Sequence, residues 1–176
     1  MNYHNITYLD IENGIDLRVT LWVSGCNLHC EGCHNGETWD FNSGVKFDAK
    51  AKNKLFKILE LDYVDGITFS GGNPLDHADT IKKLSDEIAT KYPTKTQWLY
   101  SGYTWEEILI DPKKINAIQN IDVVVDGRFD QAKRDITLPF KGSSNQRIID
   151  VPKSLESGHV VLWDADHIRD VTKKVN

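Results

Sequence analysis

Leu17, Val19, Leu21 and Val23 alternate with Arg18, Thr20 and Trp22, and the run stops at Ser24-Gly25-Cys26. A period of two marks a strand, so a strand over 17–23 is predicted to open at its C-terminal end into a loop of unusual composition. From Asp48, a candidate N-cap, Leu55, Ile58 and Leu59 keep helical spacing to about Leu61. The same unit then recurs. Gly66-Ile67-Thr68-Phe69 is a short apolar run broken by Gly71-Gly72-Asn73-Pro74, with Ile81, Leu84 and Ile88 marking the next helix. A third strand is expected at Gln97 to Tyr100. Thr104 with Glu107 is a capping-box pair, Asp111-Pro112 starts another helix carrying Ile115 and Ile118, and Ile121 to Val125 reads as a buried strand. Strands alternating with helices imply a mostly parallel sheet whose strand-to-helix loops share one edge, the edge at which α/β proteins bind ligands. The cysteine loop, Ser70 to Pro74, Ser101 to Tyr103 and Asp126 to Phe129 all fall there.

After Asp126 the pattern loosens. Residues 126–146 are polar, with Gly127, Pro139, Gly142 and paired serines, and are expected to form an irregular functional loop. Arg147 to Val151 and His159 to Trp163 are predicted as two further short strands, and 164–176 as a polar tail that frays or forms a surface helix. The 176 residues suit a single domain over 1–176. A formal charge of −5 with no dense Lys/Arg run leaves nothing to replace counterions around phosphate, which argues against nucleic acid as a partner. No segment has the apolar length of a signal peptide or a membrane span, so no membrane association and a cytoplasmic location are expected.

All three cysteines lie in the run Cys26-Asn-Leu-His-Cys30-Glu-Gly-Cys33. An odd, clustered set is a poor disulfide framework and a good metal site. Three thiolates from one loop can hold a cubane cluster and leave its fourth iron without a protein ligand. The competing reading is a structural zinc site completed by His29 or His34. It is crowded, because zinc modules commonly join two separated ligand pairs.

The spacing Cys-x3-Cys-x2-Cys after the first strand of a βα series resembles the radical S-adenosylmethionine superfamily. Val23-Ser24-Gly25-Cys26-Asn27, Gly32-Cys33-His34-Asn35, Ser70-Gly71-Gly72-Asn73-Pro74-Leu75, Val125-Asp126-Gly127 and Gly142-Ser143-Ser144-Asn145-Gln146 resemble, more narrowly, the activating proteins of the anaerobic (class III) ribonucleoside-triphosphate reductase. The likeness runs from Met1-Asn2-Tyr3-His4 to about Gln146. Gly32 stands where many superfamily members carry an aromatic, and Asn73 stands where an acidic residue often follows the paired glycines.

The resemblance implies an α/β fold of the incomplete (βα)6 radical S-adenosylmethionine barrel type, with about six parallel-leaning strands and a gap facing a protein substrate. It implies a [4Fe–4S] cluster on Cys26, Cys30 and Cys33, and S-adenosyl-L-methionine chelated by the open iron. One electron from a flavodoxin-like donor would cleave the cofactor, and the resulting 5′-deoxyadenosyl radical would take hydrogen from a glycine of the reductase large subunit. No side chain acts as a catalytic acid or base, since the chemistry belongs to the cofactors. Gly32, Cys33 and His34 match the segment lying against the cofactor. Gly71 and Gly72 would let backbone approach its methionine end, and Asn73 would cap that end, its carbonyl oxygen accepting from the ammonium without the strength a charge adds. Ser101, with Gly102 and Tyr103, would line the ribose or adenine, and Asp126 with Gly127 the far rim. Plainer readings stand beside these: Gly71-Gly72-Asn73-Pro74 as a strand-ending turn, Asp126 as a turn residue, His34 as a solvated histidine, Arg128, Lys133 and Arg134 as a solvated face, and Trp22 and Trp39 as core or interface aromatics. Two other functions remain open, a radical enzyme with a different target and a zinc-binding interaction module.

Overall fold

The computed structural model describes residues 1–164; the predicted tail lies almost wholly outside them. Seven strands form one sheet: β1 (Asn2–Asp10), β2 (Arg18–Val23), β3 (Val45–Lys46), β4 (Gly66–Gly71), β5 (Thr96–Tyr100), β6 (Val123–Asp126) and β7 (Arg147–Asp150). Their order is β3-β1-β2-β4-β5-β6-β7. The inner four, β2, β4, β5 and β6, are parallel, while β1, β3 and β7 pair antiparallel to their neighbours. The sheet is therefore mixed and open at both edges, rather than a run of about six parallel-leaning strands. Strand β1 was not predicted because only Ile6 and Asp10 along it are buried, which leaves no alternating apolar signal. Residues His159 to Trp163 form no full strand, only an isolated bridge between Leu162 and Ile149 and two backbone bonds to β7.

Among the described residues four α-helices lie between strands, α1 (Ala49–Leu59), α2 (Ala78–Lys91), α3 (Trp105–Leu109) and α4 (Pro112–Ala117), and α5 (Val151–Ser157) follows β7. Their starts follow the expected caps. Asp48 accepts from the Ala51 N–H, Asp111 from those of Lys113 and Lys114, and Thr104 and Glu107 complete a reciprocal capping box. Val19, Leu21, Val23, Ile67, Phe69, Leu99 and Val124 point to the helices and form the main core with Leu55, Leu59, Ile81, Leu84 and Ile88.

The opposite face of the sheet is different. Arg18 is fully buried there. Its guanidinium donates to Thr68 and Thr96 hydroxyls and to the carbonyls of Ile15, Ile67 and Thr96, at 2.7–3.1 Å, and lies 5.5 Å from the Trp98 ring. Burial pulls its pKa down to about 10, which leaves it charged at neutral pH. Arg18, Gly66 and Thr96 begin their strands, so this cage closes the N-terminal end of the parallel strands, and loops occupy the other end. Trp98 packs edge-on against Phe140 and Trp163, which cover this face from beyond β6.

Candidate cluster and cofactor site

At the C-terminal end of β2 the chain turns into the cysteine loop, closed by two backbone bonds: Gly25 N–H to Thr38 O (2.7 Å) and Cys26 N–H to Trp39 O (3.0 Å). Cys26 is buried, while Cys30 and Cys33 are half-buried. Burial pushes the thiols of Cys26 and Cys30 up, but backbone N–H groups oppose it: those of Leu28 and His29 at Cys26, and that of Phe129 at Cys30. Such N–H···S contacts favour thiolate and tune a bound cluster. Among the described residues, no three Cys, His, Asp or Glu side chains converge closely enough to hold a single metal ion. His29, one candidate fourth ligand for zinc, instead stacks on Trp39 with ring centroids 4.7 Å apart.

The next loop, after β4, packs directly on the first. Gly72 N–H donates to Val23 O and Asn73 N–H to Gly25 O, both at 2.8 Å. A Cβ on Gly71, whose φ is +101°, would lie 2.5 Å from Val23 O, and one on Gly72 would lie 2.3 Å from Gly25 O. The paired glycines thus have a reason within the fold: they bring the β4 loop against the backbone that carries Cys26. Asp76 and His77 add further ties. Asp76 accepts from the Asn27 N–H (2.9 Å) and the Tyr103 hydroxyl (2.7 Å), and His77 Nε2 donates to Ser24 O (2.6 Å). Burial and the Asp76 carboxylate push the Tyr103 phenol up. Neither Asp76 nor His77 stood out in the sequence, since each reads as an ordinary helix-start residue. Asp76→Ala is expected to lower stability by about 2 kcal/mol, through loss of two bonds to a carboxylate, and to slow cluster incorporation. Urea unfolding and the time course of iron uptake measure the two effects.

These loops line a cleft of about 220 Å3. Cys26, Cys30, Cys33 and His34 face it from the first loop, Gly71, Gly72 and Asn73 from the second, and Ser101 from the third. Gly32 lies outside, in a larger adjoining groove, where its φ of +70° favours glycine and the tip of the Gln131 side chain stands 2.3 Å from where a Cβ would be. Asp126 lines neither. It is buried, accepts from the Trp105 N–H (2.7 Å), and pairs with Arg147 at 2.5 Å. Arg147 also holds Glu106, pulling that carboxyl down to about 2. The Asp126 side chain is therefore occupied in fastening β6 to α3 and β7, a role its partner 21 residues away concealed. Trp22, Trp39, Tyr100 and Phe129 also line the cleft.

The expected loop begins one residue later, since Asp126 ends β6; residues 127–146 are irregular, with one 3-10 turn at Gln131–Lys133 and one bridge between Arg134 and Ser143. Asn145 Nδ2 donates to Arg128 O (2.8 Å), and Gln146 joins Gly127 O to the N–H groups of Gly142 and Ser143. The Gly-Ser-Ser-Asn-Gln run is thus the clasp that holds the loop over the cleft.

Residues 12–149 match a protein-family model described as a 4Fe-4S single cluster domain. The class of protein is therefore an iron–sulfur protein with one cluster on an α/β sheet. Over 152 residues the chain is 37% identical to the anaerobic ribonucleoside-triphosphate reductase-activating protein of Vibrio cholerae, covering 84% of this chain and 97% of that one. It is 38% identical over 150 residues to the protein of that name from Escherichia coli (83% and 96%), and 37% identical over 152 residues to that of Pasteurella multocida (84% and 96%). The chain belongs to the family of anaerobic ribonucleoside-triphosphate reductase-activating proteins. No helix among the described residues is long and apolar enough to cross a membrane.

Proposed function

We propose that this chain activates an anaerobic ribonucleoside-triphosphate reductase, as its relatives are named for doing, by radical chemistry at a three-cysteine [4Fe–4S] cluster and S-adenosylmethionine. The observation that carries this reading is the meeting of three thiols, the Gly-Gly turn and an unpaired amide on one cleft, at the C-terminal ends of four parallel strands. The open mixed sheet is read as an incomplete radical S-adenosylmethionine barrel, its gap admitting the reductase.

The residues present suit these groups. Asn73 is 1% exposed, and its Nδ2 has no hydrogen-bond partner among the described residues, a state costing about 1–3 kcal/mol until a ligand supplies an acceptor. Cys26, Cys30 and Cys33 would hold the cluster, with the Leu28, His29 and Phe129 N–H groups moderating its charge. Gly71, Gly72 and Asn73 would receive the methionine end of the cofactor, with Cys33 and His34 beside it and Ser101 toward the nucleoside. Gly32 would shape the loop behind Cys33 rather than touch the cofactor, and Asp126 would act only through the frame. When bound, the two groups supply a one-electron cleavage of a carbon–sulfur bond, using an electron from a flavodoxin-like carrier, and with it the means to take hydrogen from a glycine of the reductase. The chain's own work is to hold cluster and cofactor together, to exclude water with Trp22, Trp39 and Phe129, and to leave one side open to a protein.

Single replacements of Cys26, Cys30 or Cys33 by serine test the ligand set. After anaerobic reconstitution with iron and sulfide, each variant should lose most of its iron and form no 5′-deoxyadenosine from S-adenosylmethionine and dithionite, while its circular dichroism stays that of the parent. A serine variant that keeps full iron and full cleavage would remove that cysteine from the cluster.

A further inference from the structure

Of the four arginines among the described residues, three are engaged within the fold. Arg18 fills its cage, Arg128 pairs with Glu107, and Arg147 holds Asp126 and Glu106. The guanidinium of Arg134 has neither an ion pair nor a hydrogen bond among the described residues. It is exposed, and it lines the groove of about 1020 Å3 that adjoins the cluster cleft. Two residues on, Ile136 lines the same groove with 82% of its surface in water. An arginine beside a large apolar side chain, both unpartnered, is the composition of an interface rather than of a solvated face.

The loop that carries them is fastened at several points. Phe140 sits edge-on to Trp98 and Trp163, with ring centroids 5.3 and 6.4 Å away, and keeps this seat despite a left-handed φ of 57°. The bridge between Arg134 and Ser143 and the Gln146 clasp close the loop on itself. Its backbone is therefore in place before a partner arrives, which lowers the ordering cost of binding.

The place of the groove identifies the partner. Trp22, His34, Tyr100 and Phe129 line both groove and cleft, so a protein that sends a glycine into the cleft must lay adjoining surface along the groove. The charges there come from different elements. Arg134 and Lys141 belong to the covering loop, while Glu12 and Glu31 come from the segment before β2 and from the cysteine loop. Lys141 donates to Gln146 O at 3.1 Å, and Asp135 accepts from the N–H and hydroxyl of Thr137, which leaves Arg134 as the free charge of the covering loop in this groove. We infer that Arg134 and Ile136 form the docking edge for the reductase, Arg134 taking a carboxylate on its surface and Ile136 an apolar side chain next to it. The inference rests on the proposal that the reductase is the target of this chain.

The test separates docking from chemistry. The reconstituted chain is incubated anaerobically with S-adenosylmethionine, dithionite and increasing reductase, and the initial rate of glycyl-radical formation is followed by electron paramagnetic resonance. Arg134→Glu should raise the reductase concentration for half-maximal rate about tenfold, and Ile136→Ser about fivefold, with the limiting rate within about twofold of the parent's. Formation of 5′-deoxyadenosine without reductase should stay at the parent's level in both. Lys133→Glu makes the same change of charge on the same loop but outside the groove, where Lys133 pairs with Asp130, and should shift half-saturation by less than about twofold. Parental half-saturation in Arg134→Glu would overturn the inference. An equal shift in Lys133→Glu would also overturn it and assign the effect to overall charge, and a loss confined to the limiting rate would do so by placing Arg134 in the chemistry. If the parent cleaves the cofactor yet puts no radical on the reductase, the target reading itself fails and the inference falls with it.

Discussion

Gly72→Ala is expected to yield a protein that folds less stably and loses the capacity to hold a full cluster. The new Cβ would lie 2.3 Å from Gly25 O and 3.0 Å from Thr38 O, and both are backbone atoms with no flexible end to give way. Relief requires the β4 loop to part from the cysteine loop, breaking the Gly72 and Asn73 N–H bonds that position Gly25. Overpacking against rigid neighbours costs on the order of 3 kcal/mol, or about 6–12 °C in Tm for a chain of this size. Iron content should fall further than stability alone accounts for, because the displaced segment carries Cys26. Calorimetry alongside iron and sulfide analysis measures both. An alanine variant with the parent's Tm and iron content would show that the two loops are not locked as described.

Arg18→Met should have a comparable or larger effect on the fold, although Arg18 lies at the opposite end of the strands from the cysteines. Its fully buried guanidinium satisfies three carbonyls and two hydroxyls on β4, β5 and the segment before β2. Methionine fills part of the volume but leaves those acceptors unmet. Breaking such a buried polar cage is worth about 3–5 kcal/mol, a large share of the 5–15 kcal/mol that holds an ordinary domain together. Arg18→Lys should recover little, since an ammonium lacks the planar fork that reaches all five acceptors. Urea unfolding of the three proteins decides the matter. A methionine variant within about 1 kcal/mol of the parent would mean that the cage contributes specificity rather than stability.

The parallel half of the fold is legible in the sequence because its strands bury both faces and its helices carry strong caps. Val19, Leu21 and Val23 on β2, the Asp48 cap and the Thr104–Glu107 box each state a local preference that the tertiary structure keeps. What is not legible depends on partners distant in the chain. Strand β1 exists because β2 offers it an edge, so its own residues carry almost no period. Arg18 reads as a polar alternate of a strand, and only Thr68, Ile67 and Thr96, some 50 to 78 residues on, make it a buried plug.

The site divides along the same line. The three cysteines announce themselves by spacing, and their clustering with Gly71, Gly72 and Asn73 follows from strand order. Asp126 and Asn73 do not, because their chemistry is decided by which atoms are already taken. Arg147 and the Trp105 N–H occupy the carboxylate of Asp126, while Leu75 and Ser101 occupy the oxygen of Asn73 and leave its buried Nδ2 without a partner among the described residues. Gly32 similarly faces Gln131 of the covering loop rather than the cleft.

Activation of the reductase is tested most directly by electron paramagnetic resonance on the anaerobic reductase after anaerobic incubation with the reconstituted chain, S-adenosylmethionine and a reductant. A glycyl-radical doublet on the reductase, accompanied by 5′-deoxyadenosine and absent when Cys26, Cys30 or Cys33 is serine, is the expected result. A reductase that stays radical-free while the chain holds its cluster and cleaves the cofactor would contradict the assigned target, and a chain that takes up zinc in place of iron would contradict the chemistry.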